Sequence, residues 1–86
     1  METDAIKAKI ESAIAGAQAT VTGDGSHFDA IVVSDEFAGK SPVQKQKMVY
    51  APLNEYITSG ELHALSIKAY TPAEWEKAKK LTIGVQ

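Results

Sequence analysis

The sequence predicts a single α+β domain, αββααβα in order, built around a three-stranded mixed sheet. Three observations predict it. Isoleucines at intervals of four open the chain, two strand-like runs flank a glycine-rich turn, and one helix-start signal occurs twice in the second half. Its 86 residues, 44% of them hydrophobic, suit one core. A chain of this size buries roughly 60–65% of the surface it exposes when unfolded, which leaves little room for a deep enclosed cavity.

The first element is an amphipathic helix, because Ile6, Ile10 and Ile14 form one apolar stripe. Thr3 or Asp4 is the expected N-cap and Gly16 the expected stop. Ala17 to Thr22 reads as a strand, and Gly23-Asp24-Gly25-Ser26 as a turn in which glycine supplies positive φ. His27 leaves that turn, and Phe28 to Val33, rich in Ile and Val, is the second strand. A hairpin is the simplest connection between the two.

Ser41-Pro-Val-Gln44 and Thr71-Pro-Ala-Glu74 each offer a hydroxyl N-cap, proline at the first helical position and a carboxamide or carboxylate that completes a capping box. Both open helices. Val49, Leu53 and Ile57 continue the first at intervals of four, but Pro52 lacks the amide hydrogen that an unbroken helix requires. A break near Tyr50-Ala51 into two short helices follows, ended by Thr58-Ser59-Gly60. His63 opens the third strand, where Leu65, Ile67 and Ala69 alternate with Ser66, Lys68 and Tyr70.

A helical crossover makes the second and third strands parallel. If they are neighbours, about 4.8 Å apart, His27 and His63 emerge at the same end of the sheet. These are the only two histidines, and the chain contains no cysteine. Any site for a soft or borderline metal therefore reduces to two imidazoles.

Composition excludes other classes. A net charge of −2 argues against a general polyanion binder. The absence of cysteine excludes a disulfide-stapled scaffold. Met1-Glu-Thr-Asp lacks the basic start of a secretory signal, and no apolar run is long enough to span a membrane. The expectation is a soluble cytoplasmic domain. Asp35-Glu36 has no nucleophile or cleft beside it, so no catalytic residue is assigned and no enzyme activity is expected.

Gly23-Asp-Gly-Ser-His-Phe28, Phe37-Ala-Gly-Lys-Ser41, Val49-Tyr-Ala-Pro-Leu53 and above all His63 to Trp75 stand in the order and spacing of the BolA family. The chain resembles its acid-stress-linked branch, called IbaG- or YrbA-like, over roughly residues 3–80, with 81–86 as a C-terminal tail. The resemblance implies a KH type II-like fold and a non-enzymatic role in iron–sulfur cluster handling with a monothiol glutaredoxin. It implies a [2Fe-2S] cluster shared with that partner and glutathione. His63 would be a metal ligand, with a second at His27, a position where relatives carry histidine or cysteine. No cluster is expected in the isolated chain, which would be a monomer or weak homodimer. Iron in such clusters accepts imidazole in place of thiolate, which raises the reduction potential. Only a neutral imidazole coordinates, so acidification should weaken this end of the bridge.

The alternative is a nucleic-acid-binding stress-response regulator that uses the KH-like fold. Its candidate residues are Lys40, Lys45 and Lys47, the one basic cluster before the C-terminus, which otherwise reads as a solvated helix face. A KH domain clamps backbone with a GXXG loop, but the comparable Gly39-Lys-Ser-Pro42 lacks the second glycine. The family carries arginine or histidine in this region as well, so Lys45-Gln46-Lys47 departs from its pattern. Trp75 reads as a residue packed against the sheet, Tyr50 and Tyr56 as helix-face residues with hydroxyls toward solvent. Lys77, Lys79 and Lys80 read as late-helix cations opposing the helix dipole.

Overall fold

The structure, a computed structural model, describes residues 2–84 and the side chains of residues 2–80. Its elements are α1 (Thr3–Ala13), β1 (Gln18–Gly23), β2 (His27–Val33), a 3₁₀ turn (Asp35–Phe37), α2 (Pro42–Tyr50), a second 3₁₀ turn (Ala51–Leu53), α3 (Asn54–Ser59), β3 (Ala64–Tyr70) and α4 (Pro72–Gly84). The sheet order is β1-β2-β3. β1 pairs antiparallel with β2 and β2 pairs parallel with β3, so the sheet is mixed as the hairpin and the crossover require.

Alternation sorts the strands cleanly. Ala19 on β1, Phe28, Ala30 and Val32 on β2, and Ile67 on β3 point into the core. Ile6, Ile10 and Ile14 meet them from the first helical stripe, and Val49, Leu53 and Leu62 from the crossover. Both capping boxes form: Ser41 with Gln44, and Thr71 with Glu74, where each side chain accepts from the other residue's backbone N–H. Pro52 lies in the second 3₁₀ turn, between α2 and α3, where the missing amide costs least. Gly60, at φ 84°, is the left-handed cap of α3.

Several sequence-based expectations change. Thr3 and Asp4 lie inside α1, whose N-cap is Glu2 without a side-chain bond. The chain leaves α1 at Ile14, before Gly16 turns it at φ 66°. Gly23 does not adopt positive φ; Gly25, at 96°, is the turn residue that does. The 3₁₀ turn that buries Phe37 had no sequence signal. Buried Ser34 organises it, donating to the Ala15 carbonyl at 2.8 Å and accepting from Glu36 N–H at 3.1 Å. Ile57 breaks the buried pattern of Val49 and Leu53 and is 39% exposed. The Tyr50 hydroxyl donates to the Leu65 carbonyl at 3.1 Å instead of facing solvent. Because α4 continues to Gly84, Lys77, Lys79 and Lys80 are mid-helix residues, and Lys79 pairs with Glu76 at 2.7 Å.

Helix side chains claim backbone groups at both edges of the sheet. On β3, Gln46 Nε2 donates to the Ile67 carbonyl at 2.9 Å beside the Tyr50–Leu65 bond, so residues four apart on α2 cover alternate carbonyls. On β1, α1 does the same with charged groups: Ala19 N–H donates to Glu11 at 2.9 Å and its carbonyl accepts from Lys7 Nζ at 2.8 Å.

Candidate functional site

His27 is the first residue of β2, and the parallel register pairs it with Ala64, the neighbour of His63. The third strand opens at Ala64, one residue after the position the sequence suggests, so His63 immediately precedes it. The two histidines therefore reach one end of the sheet, His27 at the start of β2 and His63 just before β3, although a helical crossover separates them in sequence. Both are exposed. Pleat alternation gives His27 the open face with Asp29, while His63 keeps the parity of the core-facing Leu65 and Ile67. Consistent with that parity, a Cβ on Gly60 would lie 3.8 Å from His63 Cε1, against the end of α3. The pair brackets the strand ends.

Local chemistry fixes each backbone. Asp24 Oδ1 accepts from Ser26 N–H at 2.9 Å and from His27 N–H at 2.8 Å, and Asp24 N–H donates to the His27 carbonyl at 3.2 Å. Both main-chain groups of His27 are thus held by one residue. The His27 N–H first, then that of Ser26, holds the Asp24 carboxyl below the usual carboxylate range. On the other strand, buried Leu62 anchors His63 by packing in the core and donating to the Tyr56 carbonyl at 3.0 Å. The sequence places Asp24 in a turn and Gly60 at a helix end without linking either to a histidine, and gives no signal for Leu62. An Asp followed by Gly-Ser, three residues before a candidate ligand, is the signal that identifies the Asp24 contact.

The imidazoles suit coordination because, among the described residues, neither is engaged in a hydrogen bond or an ion pair. No group of three or more His, Cys, Asp or Glu able to hold a metal ion occurs among those residues. Two imidazoles fill a metal's coordination sphere only with donors from elsewhere.

The candidate lysines lie apart from this end. Gln46 sits over Ile67 and Tyr50 over Leu65, so α2 runs antiparallel to β3 and carries its N-terminal half toward Thr71. There Lys45 pairs with Glu74 at 3.0 Å, linking α2 to the cap of α4. Lys40 and Lys47 are exposed. Trp75 packs against Tyr70, ring centroids 5.4 Å apart and tilted by 42°. With Gln18, Val33 and Asp35 it lines an open cleft at that same end of the sheet, remote from the histidines. Among the described residues, no helix is long and apolar enough to cross a membrane.

Comparison with known proteins agrees with this architecture. Residues 4–74 match the family model for BolA-like protein. The acid stress protein IbaG of Escherichia coli is 49% identical over 81 residues, covering 94% of this chain and 96% of that one. A bolA protein homologue from Coxiella burnetii superposes with a TM-score of 0.78 at 36% identity, over 88% of this chain and 97% of that one. The BolA domain of SufE1 from Arabidopsis thaliana gives 0.74 at 36% identity, over 84% and 93%.

Proposed function

This chain belongs to the BolA-like protein family, and from that premise we propose that it is a non-enzymatic adaptor for iron–sulfur clusters. In this reading it docks a monothiol glutaredoxin and offers His63, with His27, to a [2Fe-2S] cluster held as shared cargo with that partner and glutathione. The supporting observation is the parallel register that sets His27 opposite the neighbour of His63, with both residues exposed and, among the described residues, neither ring in a hydrogen bond or an ion pair. Asp24 holds the His27 backbone and Leu62 the approach to His63, so this chain's part is to hold two imidazoles at one end of the sheet. The partner supplies the thiolates that a chain without cysteine lacks. Bound, the cluster supplies electron-transfer chemistry, at a potential raised by imidazole ligation. The Escherichia coli relative is named an acid stress protein, and we extend that stress setting to this chain.

The test is visible absorption and circular dichroism of the protein mixed with a monothiol glutaredoxin, glutathione, iron and sulfide. A heterocomplex spectrum distinct from that of the glutaredoxin homodimer is expected, collapsing in His63→Ala and shifting in His27→Ala. An unchanged spectrum in His63→Ala would sink the proposal. A nucleic-acid role draws less support from the surface, since Glu74 answers the charge of Lys45 and leaves Lys40 and Lys47 as the exposed cations of that cluster.

A further inference from the structure

We infer that the free edge of β1 is a homotypic strand-pairing surface, and that the Lys7–Glu11 pair keeps it shut. Two observations set the phase of the β1–β2 ladder. The Asp24 N–H bonds the His27 carbonyl, so the next pair inward, Gly23 with Phe28, does not exchange hydrogen bonds. Ala19 turns its N–H and its carbonyl to α1, so its pair with Val32 does not either. Alternation then places the main-chain groups of Ala19, Val21 and Gly23 on the outer edge, and those of Gln18, Thr20 and Thr22 toward β2.

That edge lacks the usual guards. Natural edge strands carry lysine, proline or bulges that discourage pairing, whereas Gln18-Ala-Thr-Val-Thr-Gly23 has no charge and no proline. It is also self-complementary. A two-fold axis at Val21 sets Val21 against Val21 of the partner subunit and Ala19 against Gly23 of the partner subunit, an antiparallel ladder of about six hydrogen bonds. The occupant is accordingly a second copy of this chain.

The clamp removes most of that ladder. Glu11 takes the Ala19 N–H, Lys7 takes the Ala19 carbonyl, and the two side chains pair with each other at 3.1 Å. With Ala19 engaged in both copies, only the central Val21 exchange remains, about two bonds of the six. An isolated pair of that kind does not hold two chains together against the cost of association.

Sedimentation equilibrium of the full chain and of the Lys7→Ala/Glu11→Ala double variant tests the inference, with far-UV circular dichroism to verify the fold. The dimer dissociation constant should fall at least about tenfold in the double variant, from the bonds regained at Ala19. Adding Val21→Pro should return it to monomer, because that proline deletes an outward N–H and leaves the ladder to β2 intact. A folded double variant no more dimeric than the parent overturns the inference, as does a dimer that survives Val21→Pro. If the double variant loses its native spectrum, amide exchange on the unaltered protein decides. The Ala19 N–H should exchange at least about tenfold more slowly than that of Val21, and equal rates overturn the clamp.

Discussion

Gly23 shows how one residue is required for a reason the sequence did not disclose. Its place before Asp-Gly-Ser suggested positive φ, but its backbone is ordinary. A Cβ there would instead run into the Phe28 ring and the His27 carbonyl. Phe28 is 3% exposed and cannot swing aside without opening the core. Gly23→Ala should therefore cost about 1–3 kcal/mol, the usual range for overpacking, read as a lower urea midpoint with an unchanged slope. Asp24 gives a second prediction at this scale. Asp24→Ala should speed amide exchange at His27 and Ser26, while Asp24→Asn, which keeps the accepting oxygen, should preserve most of the protection. Equal exchange in parent and alanine variant would remove Asp24 as the residue that positions His27. The two histidines themselves were legible, since composition leaves no other imidazole; what holds them was not, because those contacts depend on the geometry of the Asp24 turn and on how the chain folds back from Leu62 to the Tyr56 carbonyl.

Helix starts were the most legible elements where their chemistry is local. Ser41-Pro-Val-Gln44 and Thr71-Pro-Ala-Glu74 contain every group their capping boxes use, and both boxes form. The start of α1 was misread because Thr3 and Asp4 are good caps by type, yet the isoleucine stripe seats the helix a residue earlier. The Asp35–Phe37 turn was invisible because its key bond joins Ser34 to Ala15, far away in sequence. Glu74 couples two helices: the Thr71 N–H first, and then Lys45, hold its carboxyl below the usual range. Its folded pKa thus lies below the unfolded value of about 4.3. The stabilisation is present above that value and is lost as pH falls through the lower, folded one. Glu74→Gln keeps an acceptor for the cap but carries no titrating charge. Its urea midpoint should drop less than that of the parent as pH is lowered below about 4, and parallel acid profiles would assign the coupling elsewhere.

At the scale of the whole molecule, element order and sheet direction followed from the hairpin signal and the crossover rule, which constrain topology without side-chain detail. How the sheet edges are covered did not follow, since Lys7, Glu11, Gln46 and Tyr50 all read as ordinary helix-surface residues until the strands lie beside them. Leu62 ties the global core to the histidine end, being 2% exposed and directly before His63. Leu62→Ala should destabilise the domain by about 2–5 kcal/mol. It should also broaden the His63 ring resonances in NMR spectra more than those of His27; equal effects on both would make Leu62 a core residue only.

The crossover between β2 and β3 has a consequence for timing. His27 rides on a local hairpin, whereas His63 arrives only when β3 docks beside β2 after a long excursion through α2 and α3, and such non-local pairings form slowly. Before that docking the two histidines lie on segments that move independently. Afterwards the parallel register holds them at one end of the sheet. On the proposed reading, a ligand that contacts both binds the finished chain and not its precursor, adding its binding free energy to the long-range contact that local signals protect least.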